Sequence, residues 1–307
     1  MTELMIEVRD LKKSFGEVSA VRDLNLEVFK GEMFGIIGPD GAGKTTLIRM
    51  LCGVLEPEAG QGRILGYDLI KEIDEIKKSI GYFSQRFSLY GDLTVDENIE
   101  FFAEIHGVSD YQERREKLLE FTRLHPFRNR LAEKLSGGMK QKLALACSLI
   151  HTPKIIFLDE PTTGVDPVSR RDFWKILSDL VHQGITIVLT TPYLDEAERC
   201  SRVGFMNLGK FMAIDSPQGI KKFVSDKVIE LIPDEIGRAY KLLKQISEIK
   251  ELQALGDRLN LLVKDEKEVM GGIYELFERE GLKVKSWRVI APSLENVFIT
   301  LQKISQG

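Results

Sequence analysis

The chain has 307 residues, 43 basic against 47 acidic side chains, a formal net charge of −4 and three cysteines, Cys52, Cys147 and Cys200. That charge balance argues against a nucleic-acid partner, whose binders carry a basic excess. Three widely spaced cysteines build neither a disulfide framework nor a metal-ligand spacing and read as small buried hydrophobes. The length allows one large α/β core and a smaller domain beside it.

The opening MTELMIEVRD places charges where a secretory leader needs an apolar stretch, and no apolar run approaches the ~20 residues of a spanning helix. The expectation is a cytoplasmic protein, for which any membrane step must be carried by another polypeptide. Residues 3–35 read as short strands around a turn, and the apolar run Met33–Ile37 leads into GPDGAGKT, Gly38–Thr45. Helical spacing follows over Thr45–Leu55 and stops at Glu56-Pro57. The stretch from about Asp92 to Leu149 is helix-rich and suggests a helical subdomain over about 87–150. Apolar strands return at Lys154–Pro161 and Ile185–Pro192, with a helix at Val168–His182 between them, which predicts a mostly parallel sheet covered by helices.

Composition shifts near Asp215-Ser216-Pro217, placing a boundary between 1–214 and 215–307. Beyond it the spacing predicts strand 228–232, helix 234–246, strands near 248–254 and 258–264, helix 266–280, strand 284–290 and a closing helix from Ser293. A β-α-β-β-α-β order reads as a ferredoxin-like split βαβ domain.

The glycine-rich run lies at a strand-to-helix junction, the context of a phosphate loop. Gly38, Gly41 and Gly43 let backbone N–H groups turn toward phosphate oxygens, and the following helix presents its positive end to the same anion. Pro39, Asp40, Ala42 and Thr46 complete the expected cradle; Lys44 reaches the β- and γ-phosphates and Thr45 ligates Mg²⁺. IIFLDE, Ile155–Glu160, puts Asp159 and Glu160 at the carboxyl end of a buried strand, where ligands of open α/β sheets collect. A second glycine turn, LSGGMKQ at Leu135–Gln141, begins another helix. In a chain that already has a phosphate loop, this turn suggests a nucleotide sandwiched between two copies.

Together these segments resemble the ATP-binding cassette (ABC) ATPases over most of the chain. The resemblance implies an α/β P-loop NTPase of ABC type: a mostly parallel core sheet, an antiparallel β subdomain, a helical subdomain and the small C-terminal α+β ferredoxin-like domain. It implies ATP and Mg²⁺ as ligands, Asp159 and Gln85 near the metal with Thr45, Glu160 as general base and Lys44 on the phosphates. Phe15 is implied against adenine and Asp166 at the dimer interface. The signature residues Leu135, Ser136, Gly137, Gly138 and Gln141 would act on the opposing protomer's ATP.

The implied partners are a second cassette protomer, identical or not, and a separate membrane permease, with the chain peripheral on the cytoplasmic face. The permease surface is expected at Arg86–Asn98, with Phe87, Leu89 and Tyr90 exposed. The ending APSLENVFITLQ, Ala291–Gln302, resembles cassettes of multidrug, antibiotic and polysaccharide or lipid exporters.

Two departures matter. Asp40 replaces a common asparagine, adding a negative charge near the phosphates. Pro192 stands where these ATPases place a histidine on the γ-phosphate and has no side-chain donor. Two readings follow: hydrolysis runs without that contact, with Tyr193 as a possible substitute donor, or the site is weak and regulatory. A soluble ABC protein of ribosomes or DNA repair is the rival from another class, although neither a second cassette nor a long heptad run is visible.

Overall fold

Continuous apolar runs rather than alternation set the centre of the first unit. The computed structural model describes residues 3–85, 89–223 and 226–306, and its contacts divide into two units, Met1–Ile214 and Asp215–Gly307.

In the first unit, β1 (Leu4–Phe15) and β2 (Val18–Phe29) pair antiparallel. β3 (Met33–Ile37), whose five residues are all buried, runs into the loop before α1 (Lys44–Leu51). The sequence reading carried this helix to Leu55, but it stops earlier because Gly53 takes φ +66°, the left-handed conformation that ends a helix. β4 (Ala59–Ile64) and β5 (Tyr67–Asp68) complete a four-stranded sheet in the order β2-β1-β4-β5. Then come α2 (Ile73–Ser79), β6 (Ile80–Phe83), α3 (Val95–Ile105), α4 (Gln112–Phe121) and α5 (Gly137–Leu149).

The chain returns to the core as β7 (Ile155–Asp159), α6 (Pro167–His182), β8 (Thr186–Thr191), the short α7 (Leu194–Ala197), β9 (Arg202–Asn207) and β10 (Lys210–Asp215). The second sheet has the order β10-β9-β3-β8-β7-β6. Its β9-β3-β8-β7-β6 pairings are all parallel. The carboxyl ends of β3, β7 and β8 therefore lie side by side, delivering Gly38, Asp159 and Thr191 to one sheet edge. Phe34, Ile36, Phe157 and Val188 are fully buried beneath that edge, each such side chain contributing roughly 1.5–3 kcal/mol by leaving water.

The second unit holds α8 (Pro217–Lys221), β11 (Lys227–Pro233), α9 (Ile236–Leu243), β12 (Ile249–Leu255), β13 (Arg258–Val263), α10 (Glu266–Glu280), β14 (Val284–Ile290) and α11 (Leu294–Gln306). Its strands order as β12-β13-β11-β14 and pair antiparallel. β11 and β12, joined through α9, flank β13, which is the split βαβ arrangement. Ile229, Leu231, Leu259 and Leu261 pack with Ala239 and Leu243 of α9 and Ile273 and Phe277 of α10. The helix expected over 234–246 is shorter at both ends. Leu294 and Val297 of the closing segment are buried, and Ser293 and Asn296 bond reciprocally at its start, so this ending also serves internal packing.

Candidate active site

Glycine is required sterically in the phosphate loop. A Cβ on Gly38 would lie 2.1 Å from the Met206 carbonyl oxygen, and one on Gly43, at φ +102°, 2.1 Å from that of Ala20. The loop is thus wedged between β2 and β9 and held in shape. Lys44 is buried and donates through Nζ to the carbonyls of Gly38 and Pro39 at 2.8 and 3.0 Å. Asp40 and Gly41 are exposed on the outer turn, while Ala42 is buried and Thr45 and Thr46 are half-buried. Water around Asp40 screens the carboxylate that the sequence left as a concern.

Across the edge, Thr45 Oγ1 donates to Asp159 Oδ1 at 3.1 Å, and Thr190 Oγ1 donates to the same oxygen at 2.7 Å. The other carboxylate oxygen, Asp159 Oδ2, is buried without a hydrogen-bond partner. Glu160 takes φ +50°, rare for a residue with a side chain. Its N–H is fixed on the Thr190 hydroxyl at 2.9 Å. Its Oε2 accepts from Gln85 Nε2 at 3.0 Å and Thr163 Oγ1 at 3.3 Å. Gln85, Thr45, Asp159, Glu160 and Lys44 thus converge on one face from three separate segments.

Sequence comparison agrees with this geometry. The ABC transporter family model matches residues 21–163. The Nod factor export ATP-binding protein I of Rhizobium sp. (strain N33) is 36% identical over 305 residues, covering 98% of each chain. This chain belongs to the ABC transporter ATP-binding family. The probable multidrug ABC transporter ATP-binding protein YbhF of Escherichia coli (strain K12) is 43% identical over 221 residues, or 71% of this chain, and the match spans 38% of that relative's length. Among solved structures, the dimeric post-hydrolysis state of the ATP-binding cassette MJ0796 bound to ADP and Pi superposes with TM-score 0.62 at 27% identity, over 69% of this chain and 98% of that one.

The second glycine turn, Leu135–Gln141, lies apart from Gly38–Thr45 in sequence and begins α5. Ser136 is its N-cap, with Oγ accepting from Met139 N at 3.4 Å. Ser136 and Gly137 are exposed, Gln141 is half-buried and Leu135 is buried. A Cβ on Gly138 would meet the Ser169 side chain at 2.4 Å, whereas one on Gly137 would enter open space. Close packing inside the protomer therefore accounts for Gly138, and Gly137 is the glycine free to face outward.

Asp166 caps α6, accepting from Val168 N and Ser169 N at 3.1 and 2.9 Å. Hydrogen bonds from Ser169 hold its carboxyl below the usual range. Phe15 is 53% exposed, which removes the alternative of a hairpin-core residue, and Lys13 lies 6.0 Å over its ring. Phe87 falls outside the described residues; Leu89 is half-buried, and Tyr90 is exposed with its ring 4.4 Å from that of Phe101.

Pro192 is exposed at the end of β8. Next to it, Arg170 lies 4.4 Å over the Tyr193 ring, and Tyr193 N donates to Thr191 Oγ1 at 3.0 Å. Sequence reasoning overlooked Thr163 on Glu160 and Thr190 on Asp159. It also overlooked Asn98, which is buried and pairs with the backbone of Tyr90, Leu93 and Thr94. The doubled threonines of PTTG and LTTP were the available signal for the first two.

Proposed function

We propose that this chain is the ATP-hydrolysing subunit of an ABC exporter. Two copies close on two ATP molecules, hydrolysis releases them, and the motion drives a separate integral membrane permease from the cytoplasmic face. The continuous set Lys44–Thr45–Asp159–Glu160–Gln85 on one sheet edge carries the reading. The export names of the relatives support its direction.

Lys44 and the loop amides bind the β- and γ-phosphates, and Phe15 offers an exposed aromatic face to adenine. Glu160 takes a proton from the attacking water, oriented by Gln85 and Thr163. Ser136 of the opposing protomer donates to the γ-phosphate, with Gly137 allowing backbone approach. The partnerless Asp159 Oδ2 and the adjacent Thr45 hydroxyl form a hard oxygen donor set that fits Mg²⁺. Thr45, Asp159 and Gln85 would hold the ion, which supplies charge neutralisation on the phosphates when bound.

Leu89 and Tyr90 belong to the proposed permease surface. No helix among the described residues is long and apolar enough to cross a membrane, which fits a division of labour with a permease. A muted, regulatory site is the second reading, favoured by the absence of a donor at Pro192. Co-expression with candidate permeases and measurement of Mg-ATP turnover tests both. Stimulated turnover and a co-purifying hydrophobic subunit support the exporter. No turnover in the complex, with a large rise in Pro192→His, supports the regulatory site.

A further inference from the structure

Glu196 of α7 is fully buried, and no role in nucleotide chemistry requires a carboxylate there. Its Oε1 accepts from Thr162 Oγ1 at 2.6 Å, Arg170 Nε at 2.5 Å and Trp174 Nε1 at 3.1 Å. Its Oε2 accepts from Thr191 Oγ1 at 2.5 Å. Thr162 and Thr191 each sit beside a threonine that bonds Glu160 or Asp159. Thr163 reaches Glu160 Oε2, while Thr190 reaches Asp159 Oδ1 and the Glu160 N–H. A single carboxylate thus ties the segment after β7 to the end of β8, the two stretches whose neighbouring threonines bond the hydrolytic acids.

We infer that Glu196 is a positioning residue for hydrolysis, fixing the Glu160 carboxylate and the segment around Pro192 in register with each other. Two features give this link consequence. The left-handed backbone of Glu160 persists only if its surroundings over-determine it, and Thr190 supplies part of that constraint. With proline at 192, this segment has no side-chain donor at that position to anchor it on the phosphates, so its place is set from behind, by Thr191 on Glu196. Arg170, paired also with Asp195 at 2.7 Å, balances the buried charge.

The inference rests on the reading of Glu160 as base, and the test separates the two. In the full chain, Glu196→Gln keeps the volume but presents an amide N–H₂ to one set of donors. Thr191→Val cuts the same link from the other end and decides the matter if the glutamine variant does not fold. Both are expected to lower kcat for ATP about tenfold or more, since small misplacements of a reacting group cost up to about a hundredfold. ATP affinity should stay within about threefold, and the double variant should fall little below the lower single one. Glu160→Gln serves as the control. If Glu160→Gln abolishes turnover while folded Glu196→Gln and Thr191→Val lose less than about threefold in kcat, or their losses multiply, the inference is overturned and the base assignment stands. If Glu160→Gln turns over normally, the base assignment itself fails.

Discussion

Gln85 donates its side-chain amide to the Glu160 carboxylate at 3.0 Å, across 75 residues of sequence. The contact joins the segment just after β6 to the end of β7.

Replacing Glu160 with glutamine should lower Mg-ATP turnover by about two to four orders of magnitude, the range expected for loss of a general base. ATP binding should be retained, because Lys44 and the loop amides are untouched. Gln85→Ala should give a smaller loss in kcat, with KM nearly unchanged. Steady-state kinetics beside nucleotide titration reads both, and a Glu160→Gln chain with ordinary turnover would remove this residue from the chemistry.

Asn98 is fully buried and makes four hydrogen bonds to the Tyr90–Thr94 backbone, accepting from Tyr90 N at 3.0 Å. Asn98→Leu keeps the approximate size and strands the Tyr90 N–H. A loss of roughly 1–3 kcal/mol in unfolding free energy is expected. Urea denaturation measures it; an unchanged midpoint would mean that this segment holds its shape without the asparagine.

Acid should destabilise the helical part of the first unit through a stacked histidine pair. The rings of His106 and His151 lie 3.9 Å apart and nearly parallel. His151 Nε2–H donates to the Ile80 carbonyl at 2.8 Å, and Nδ1 is buried without a partner. Burial, the neighbouring His106 and the Arg114 guanidinium push His151 down to about 4, from an ordinary value of 6.5; burial also lowers His106. With the folded value depressed, the unfolded chain binds more protons between those limits. The His151 contribution is therefore present above about pH 6.5 and lost progressively as pH falls toward 4. Between pH 7 and pH 5 stability should drop by up to about 2 kcal/mol from this group. His151→Gln should flatten that dependence in denaturant melts, and an equal slope in both proteins would contradict the assignment.

The glycine turn at Gly38–Thr45 and the placement of Asp159 and Glu160 at a strand end were legible in the sequence because each is written locally. An apolar strand, a turn that tolerates only glycine and a helix start appear as consecutive letters. Gly38 and Gly43 bear this out, with carbonyl oxygens occupying the space of a Cβ. The Glu196 cluster was not legible. Thr162, Arg170, Thr191 and Glu196 are brought together by the parallel pairing of β7 and β8, and no local pattern distinguishes a buried glutamate in DEAE from a solvated one. Gly138 shows the converse limit: a residue read for a contact between protomers is already explained by Ser169 within one.

The sandwich itself is tested most directly by sedimentation of the Glu160→Gln chain, in which hydrolysis no longer releases ATP. With Mg-ATP it should move from monomer to dimer. Adding Ser136→Ala should hold it as monomer while ATP affinity of the single chain stays within about threefold, since losing the long 3.4 Å cap costs the helix only about 1 kcal/mol. A Ser136→Ala, Glu160→Gln chain that dimerises as readily as Glu160→Gln alone would contradict a nucleotide held between phosphate loop and signature.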